Sequence, residues 1–571
     1  MNRNVESHFS ELPSIDIQRS TFDRSFSHKT SFNVGDLIPI CLEEVLPGDT
    51  FNMTTSCVVR LQTPLTPIMD NIYLDTFWFF VPLRLVWSHA KEFFGENTAS
   101  AWIPQSEYSI PIIEPPYVTN GSTVVENGWN VGTIADYFGI PVHIGNHSAN
   151  WKKGISALPF RAYALICDQW FRDQNLSDPL NIPVGDVTTQ GSNGSNYITD
   201  VVKGGMPFKV CKYHDRFTSA LPSPQKSQPI SIFARPIGEQ DVPWSGQFNN
   251  YVPVMTREVR AVENSWDNSL MLHSSASSDN RHKLKKGNNT TNVVWDDTSS
   301  LYNLVPDNLW ADVGGLNLSI NQLRLAFQLQ KFYEKNARAG TRYREVLKEH
   351  FGVTTSDARM QIPEYLGGHR FPLSIHQVEN TTQGSAGSNN FVGDLGAMSN
   401  TSDVHEDFVK SFEEHGFLIG LACARYDHSY SQGLDPLWTR SSKLDYFWPV
   451  FQSIGELPLY KRELYLDESS DSNDVFGYQE AWSEYRYGRN RVSSYLRPEV
   501  NQSLAVWHLG DYYTQMPSLS DGWIREDKSN VDRVLSVTSN ISNQIFADFY
   551  FKNICTRPMP MYSIPGLIDH H

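Results

Sequence analysis

Two aromatic-rich runs near opposite ends of the chain constrain its fold most strongly. The run Ile72-Tyr-Leu-Asp-Thr-Phe-Trp-Phe-Phe-Val81 stops at Pro82, and Gln544-Ile-Phe-Ala-Asp-Phe-Tyr-Phe551 has a similar composition. Aromatic and β-branched residues favour strands, and a run that is apolar on both faces indicates a strand covered on both sides. Strands of this kind at both ends predict that the termini share one barrel, with the residues between them carried as insertions.

The composition agrees with a mainly β fold. The 571 residues include 36 Gly, 32 Pro, 31 Phe and 25 Tyr, and only 19% are charged, which suits many strands joined by turn-rich connections. Helical spacing of apolar residues predicts helices over Leu158–Phe171, Ser319–Arg338 and Thr341–His350, the last two stopping before Gly340 and Gly352. We expect these helices to be insertions packed on a sheet framework.

Charge and cysteine usage exclude several classes of protein. The formal charge of −16 has the wrong sign for a protein that coats nucleic acid over its whole surface, so any DNA contact must be local. The six cysteines are isolated from one another and form no C-x-x-C pair, which predicts reduced thiols and no metal or disulfide framework. No secretory signal or membrane-spanning run is predicted, since the most apolar stretch, Gly416–Ala424, is far shorter than the ~20 residues of a membrane helix.

Four parts of the chain differ in composition and in the periodicity of their apolar residues. Residues 1–50 lack a lasting period and predict an extended N-terminal arm, and residues 51–571 predict one discontinuous domain. Within it, residues 226–305 are polar and turn-rich and predict a surface insertion. Residues 556–571 form a Pro-interrupted tail that cannot be a central strand and is expected to dock its apolar residues on a neighbouring surface. These residues are Met559, Met561, Tyr562, Ile564, Leu567 and Ile568.

Two basic segments are candidate binding sites. The run Arg281-His-Lys-Leu-Lys-Lys286 could contact DNA or an anionic cell surface, although a solvated loop tip is the favoured interpretation. A second segment interleaves aromatic and guanidinium groups. This combination can stack on the bases of single-stranded DNA, but the same residue types are enriched at subunit interfaces. We favour the interpretation as a subunit interface. The candidate residues of this segment are Trp482, Tyr485, Arg486, Tyr487, Arg489, Arg491, Tyr495 and Arg497, and the candidates of the first run are Arg281, Lys283, Lys285 and Lys286.

No catalytic constellation is recognised. The chain has no G-x-S-x-G elbow, P-loop or H-E-x-x-H motif, and the spacing of His415, Cys423 and His428 matches no metal-ligand rule. We therefore predict neither catalytic residues, nor a cofactor, nor a metal site, and favour an assembly protein over an enzyme. The alternative is a β-sandwich carbohydrate-binding protein or glycosidase, suggested by the acidic charge and the many aromatic side chains.

Several stretches together resemble the major capsid proteins of gokushoviruses, which are single-stranded DNA bacteriophages of the microvirus group. The match runs nearly end to end, in the same order. The stretches are Arg19-Ser-Thr-Phe-Asp-Arg-Ser-Phe26, Leu158-Pro-Phe-Arg-Ala-Tyr163, Trp170-Phe-Arg-Asp-Gln-Asn175, Leu221-Pro-Ser-Pro-Gln-Lys226, Phe476-Gly-Tyr-Gln-Glu-Ala-Trp482, Glu484-Tyr-Arg-Tyr487 and Tyr562-Ser-Ile-Pro-Gly-Leu-Ile-Asp569.

The resemblance implies an eight-stranded antiparallel jelly roll of the viral capsid type with long inter-strand insertions. It also implies assembly in the bacterial cytoplasm into a T=1 icosahedral shell around a circular single-stranded DNA genome. The polar insertion would form a protrusion at the threefold axis, used in attachment to a host cell-surface receptor. The implied partners are an internal scaffolding protein, a minor DNA pilot protein and a small basic DNA-binding protein.

Overall fold

The computed structural model describes residues 17–97, 107–120, 123–142, 154–227, 320–382, 392–467 and 474–563, together with four short strands between residues 256 and 306. It divides into two compact units. One comprises residues 1–226 and 333–571, and the other comprises residues 227–332.

The described strands, in chain order, are β1 (Ser20–Asp23), β2 (Phe26–Phe32), β3 (Ile38–Val45), β4 (Thr50–Leu61), β5 (Ile72–Pro82), β6 (Ile112–Glu114), β7 (Tyr117–Asn120), β8 (Thr123–Asn127), β9 (Ile155–Ser156), β10 (Thr189–Gln190), β11 (Thr256–Glu258), β12 (Leu270–His273), β13 (Lys283–Lys286), β14 (Leu304–Pro306), β15 (Glu364–Pro372), β16 (Ile375–Glu379), β17 (Leu395–Ser399), β18 (Thr401–Ser411), β19 (Gly416–Tyr426), β20 (Glu456–Tyr460), β21 (Val475–Glu480) and β22 (Ile545–Arg557).

The described α-helices are α1 (Leu83–Val86), α2 (Ala90–Phe93), α3 (Ile134–Tyr137), α4 (Leu158–Ile166), α5 (Ile320–Ala339), α6 (Tyr343–Phe351), α7 (Asp357–Met360), α8 (Ser483–Arg486), α9 (Asp521–Ile524) and α10 (Ser529–Val534). A π-helical turn, Cys167–Phe171, continues α4. Short 3₁₀ turns occur at Val201–Lys203, Pro436–Trp438, Lys443–Asp445, Pro449–Phe451, Lys461–Glu463, Ser494–Leu496 and Ala505–Trp507. None of the described helices is long and apolar enough to cross a membrane.

Two antiparallel sheets form the framework of the larger unit. The first has the order β1-β22-β4-β18, with β2 also paired to β22, and the second has the order β15-β5-β19-β3. Because β1 and β2 pair with successive parts of β22, they act as one interrupted strand. Each sheet then has four strands, and successive sandwich strands alternate between the sheets except for β5 and β15, which pair within the second sheet, as in an antiparallel jelly roll. The predicted mainly β, jelly-roll fold class is confirmed.

The predicted strands at the two ends of the chain lie in opposite sheets around one core. Strand β22 alternates buried and exposed residues, which is the pattern of a strand with one face on the core. Trp78 of β5 is fully buried, and its ring lies 5.5 Å from that of Phe551 in β22. The pairing of β2 with β22 brings the N-terminal and C-terminal strands together, as the sequence predicted.

The second sheet is covered on both faces, which explains why β5 and β19 are apolar throughout. Its outer face carries Phe79 and Leu421, which pack with Phe160 and Tyr163 of α4 in a second core. The Tyr163 hydroxyl donates a hydrogen bond of 2.6 Å to the carbonyl of Leu37. The predicted helix at Leu158–Phe171 is present as α4 and its π-helical turn, and the most apolar stretch of the sequence is the buried strand β19.

The N-terminal segment and the two later predicted helices also contain regular secondary structure. Of the N-terminal segment predicted as an arm, residues 20–23, 26–32 and 38–45 form β1, β2 and β3 and are built into the two sheets. The helices predicted over 319–338 and 341–350 are α5 and α6, and α6 ends at Gly352 in the left-handed conformation. Within the smaller unit, β11 pairs with β14 and β12 pairs with β13.

Candidate functional site

Side chains from residues 437–454 of the larger unit, together with Tyr485, form an exposed surface that we call the aromatic surface. This segment forms short 3₁₀ turns that are held by polar side chains. Asp435 Oδ1 accepts a hydrogen bond of 3.0 Å from the Leu437 amide, and Asp445 Oδ2 accepts one of 2.7 Å from the Ser442 amide. None of the residues in these three turns is buried.

These apolar side chains are conspicuously exposed. Val450 is 86% exposed and Trp438 is 74% exposed. The aromatic surface comprises Leu437, Trp438, Leu444, Tyr446, Phe447, Trp448, Val450, Ile454 and Tyr485. The Phe447 ring lies 6.2 Å from the Tyr485 ring, which connects the segment to α8. Exposed apolar side chains concentrated in one segment are typical of a surface that binds a partner.

The predicted basic and aromatic segment borders this surface, but its residues differ in exposure. Trp482 is buried, adopts a left-handed backbone conformation with φ of +63°, and donates its indole N–H to the Phe451 carbonyl at 3.0 Å. Tyr485, Tyr487 and Tyr495 are exposed. The segment therefore contributes one buried anchor and three accessible aromatic rings.

The four predicted arginines also separate into two groups. Arg489 donates to the carbonyls of Glu463 and Gly433 at 3.0 and 3.3 Å, and Arg497 donates to the carbonyl of Ser431 at 2.7 Å. These two guanidinium groups hold neighbouring loops together. Burial lowers the pKa of Arg489, although the nearby carboxylate of Asp435 opposes this effect.

Arg486 and Arg491 are the accessible members. Arg486 pairs with Glu480, and Arg491 Nη2 lies 3.1 Å from Asp435 Oδ2, while 67% of the Arg491 side chain stays exposed. Exposed ion pairs contribute little to folding, so these two guanidinium groups can exchange their partners when another surface approaches. The arrangement suits an interface in which aromatic faces and two cations are presented together.

An open groove of about 630 Å³ lies next to the aromatic surface and is lined by both signs of charge. Arg216 Nη1 lies 2.6 Å from Glu463 Oε2, and both side chains are buried. Burial raises the pKa of Glu463 against the opposing effect of Arg216. The Arg440 guanidinium lies 3.5 Å from Glu484 Oε1 and 4.5 Å from the Tyr485 ring centre.

The remaining predicted sites are only partly described. Met559, Met561 and Tyr562 of the tail are exposed, and Ile564, Leu567 and Ile568 lie outside the described residues. Lys283, Lys285 and Lys286 belong to β13, and Arg281 lies outside the described residues.

The histidines noted in the sequence do not share a site. The His415 ring stacks on Phe94 at 3.8 Å, Cys423 is buried in β19, and His428 pairs with Asp511 and Glu526. Within the described part of the chain, a different group, His369, Asp403 and His405, has the arrangement of possible metal ligands.

Sequence reasoning did not select residues 437–454. The available signal was the density of aromatic residues in Tyr446-Phe-Trp448 and around Trp438, in a stretch without helix or strand periodicity. Only the structure distinguishes an exposed aromatic turn from a buried one.

Comparison with known proteins identifies the family. The family model described as "Capsid protein (F protein)" matches residues 10–567. The chain belongs to this capsid protein family. This match, together with three full-length relatives that are viral capsid proteins, confirms the resemblance to gokushovirus major capsid proteins. The chain is a structural protein of a phage virion, not an enzyme.

Three relatives, each named capsid protein VP1, match this capsid protein along nearly its whole length. The protein of Spiroplasma virus 4 is 38% identical, covering 95% of this chain and 94% of its own. Those of Bdellovibrio phage phiMH2K and Chlamydia phage 1 are 36% and 35% identical, each covering 99% of this chain and 98% of its own. The alternative of a carbohydrate-binding protein or glycosidase is therefore wrong, and the capsid protein forms a shell from copies of itself.

Proposed function

We propose that this capsid protein assembles through the aromatic surface into a T=1 icosahedral shell around a circular single-stranded DNA genome in the bacterial cytoplasm. The observation that carries this proposal is the concentration of exposed apolar side chains in the aromatic surface. Burial of apolar area contributes roughly 25 cal/mol per Å², so covering these side chains in a neighbouring subunit would drive assembly.

Charge bears on how the genome is held. A subunit with a formal charge of −16 cannot neutralise packaged phosphates by bulk attraction. We therefore propose that a small basic DNA-binding protein supplies most of the counter-charge, and that Arg486 and Arg491 act at a subunit interface or a local DNA contact. An internal scaffolding protein and a minor DNA pilot protein complete the set of proposed partners.

The smaller unit is proposed to form the surface protrusion that contacts a host cell-surface receptor. Its separation as a compact unit of residues 227–332 supports this role, since an insertion can vary without disturbing the sheets. Deleting residues 274–292 should leave particle assembly intact and reduce attachment to host cells. Loss of assembly in this deletion would place the segment at a subunit contact instead.

Electron microscopy of the purified protein, with its scaffolding partner, tests the assembly proposal. Val450→Asp should abolish particles, because a charge would be buried in the contact. Val131→Asp is a matched control, since Val131 is 70% exposed but lies outside the aromatic surface. Normal particles from Val450→Asp, or a wild-type protein that stays monomeric, would refute the proposal.

A further inference from the structure

We propose that His369, Asp403 and His405 bind a divalent transition metal ion such as Zn²⁺, which would join the edge strands of the two sheets. His369 belongs to β15, at the edge of the second sheet, and the other two residues belong to β18, at the edge of the first sheet. Such an ion would close the jelly roll along one side.

Strand register brings these residues together. His369 pairs with Thr76 of β5, while Asp403 and His405 pair with Cys57 and Thr55 of β4. Asp403 and His405 are two residues apart on a strand, so their side chains leave the same face.

The two edge strands approach closely beside this group. A Cβ atom added to Gly367 of β15 would lie only 2.6 Å from the carbonyl oxygen of Asp407 in β18. A glycine at this position therefore permits a backbone approach that any other residue would obstruct. The close approach sets the spacing of the potential ligands across the sheet edges.

The distances suit one shared ion. Asp403 Oδ2 lies 2.7 Å from His405 Nδ1 and 3.7 Å from His369 Nε2, and one ligand atom from each residue lies within 4.8 Å of the others. The imidazole rings stack with their centres 4.4 Å apart. Tetrahedral metal–ligand bonds of about 2.0–2.2 Å place neighbouring ligand atoms roughly 3.3–3.6 Å apart. The hydrogen bond of 2.7 Å between His405 and Asp403 would therefore open slightly around an ion.

A second carboxylate orients the central histidine. The Asp407 side chain is fully buried, and its Oδ1 atom lies 3.1 Å from His405 Nε2 in an ion-pair contact without hydrogen-bond geometry. Its Oδ2 atom accepts a hydrogen bond of 2.5 Å from Thr55 Oγ1. A carboxylate against one ring nitrogen leaves the other nitrogen facing the shared site, and such a carboxylate is the usual support of a metal-binding histidine.

The types of the three ligand atoms indicate which class of metal ion would bind. Two imidazoles and one carboxylate suit Zn²⁺ and similar transition metals, whereas Mg²⁺ and Ca²⁺ prefer oxygen ligands. The His369 side chain is 42% exposed, which gives an ion a route of entry from solvent and leaves a position for water.

The test uses the full-length unassembled protein, stripped with a chelator and dialysed against Zn²⁺. Bound zinc is measured by atomic emission, and affinity is measured by competition with a chromophoric chelator. The test variant is His369→Gln with Asp403→Asn. The matched control is His376→Gln, an exposed histidine of the neighbouring strand β16.

We expect the wild type and His376→Gln to retain about one more zinc ion per chain than the double variant. Asp407→Asn should weaken binding roughly tenfold or more, because it removes the support of His405. Circular dichroism establishes that each variant is folded, and His369→Gln alone provides a milder change at an exposed side chain. Equal zinc retention by the wild type and the double variant would overturn the proposal, as would equally tight binding of Ca²⁺.

Discussion

His428 and Asp511 form a buried ion pair in which Nδ1 and Oδ1 lie 2.8 Å apart. Glu526 Oε1 lies 3.1 Å from the other ring nitrogen, Nε2. Burial lowers the pKa of His428, but the two carboxylates outweigh this effect and raise its pKa to about 9. Burial likewise raises the pKa of Asp511, yet His428 and Lys212 reverse the effect and hold that pKa below its usual range.

This pair predicts a stability that depends on pH. The folded-state pKa of His428 lies above the ordinary value of 6.5, so its contribution is complete below pH 6.5 and is lost as the pH rises through about 9. The shift corresponds to about 3 kcal/mol. We expect His428→Gln to reduce the free energy of unfolding by about 3–5 kcal/mol below pH 6.5, because two buried carboxylates lose their shared cation.

Urea denaturation of the unassembled protein at a series of pH values measures this effect. His376→Gln is the control, because His376 is exposed on β16. It should retain the wild-type decline between pH 6.5 and 9. An unchanged decline in His428→Gln would contradict the assignment.

Trp78 joins the two sheets, and its loss should destabilise the protein. Its buried ring lies 5.5 Å from Phe551 and 5.7 Å from Phe408, which belong to the opposite sheet. We expect Trp78→Ala to reduce the free energy of unfolding by about 3–5 kcal/mol, because it leaves a large cavity. Trp438→Ala is the matched control, and it should leave unfolding nearly unchanged while reducing particle yield. Similar urea midpoints for the two variants would argue against this division between core and interface.

The close approach at Gly367 predicts a steric effect. We expect Gly367→Ala to destabilise the protein by about 1–3 kcal/mol, because the new Cβ must displace the Asp407 carbonyl. Gly396→Ala in β17 should have a much smaller effect, since its Cβ would lie 3.8 Å from the nearest atom. Thermal unfolding measures both variants, and equal melting temperatures would exclude the clash.

Replacing different arginines should affect either folding or assembly. Replacing both Arg486 and Arg491 with Gln should change the free energy of unfolding by less than about 1 kcal/mol, because both guanidinium groups are in exposed pairs. The same double variant should yield fewer DNA-filled particles. Arg489→Gln should instead cost about 1–3 kcal/mol through two lost backbone hydrogen bonds. Nuclease-protected DNA per particle is the measurement, and wild-type yield and DNA content in the double variant would count against both proposed roles.

The tail should matter for assembly and not for folding. Truncation after Pro558 removes exposed residues, including Met559, Met561 and Tyr562, so the unfolding free energy should be unchanged. Particle formation should fail, because these residues are proposed to dock on a neighbour. Met561→Asp provides a less severe test. A truncated chain that cannot fold would show that the tail packs on its own subunit.

Much of the fold could be predicted from strong local patterns in the sequence. Strands β5 and β22 and helix α4 were predictable because their apolar residues recur with a clear period or fill a whole run. Strand β2 was not recognised, since its short and half-buried sequence resembles a polar arm. A partner strand, not local propensity, determines its conformation.

The sites depended more on register than on local pattern. Asp403, His405 and Asp407 alternate along β18, which is a signal visible in the sequence, but only the meeting of β18 and β15 adds His369. The predicted arginines were recognisable as a group, yet the loops that occupy Arg489 and Arg497 are distant in sequence. A group of side chains contributed by strands of two different sheets cannot be inferred from the residue spacing along one strand.

The pairing of β22 has a consequence for biosynthesis. This strand lies between β2 and β4, yet it is the last of the sandwich strands to leave the ribosome. Until β22 emerges, the facing edges of β2 and β4 lack their shared partner, and the first sheet cannot form. A nascent or prematurely terminated chain therefore lacks the rigid building block that a shell requires, which restricts incorporation to subunits whose translation has finished.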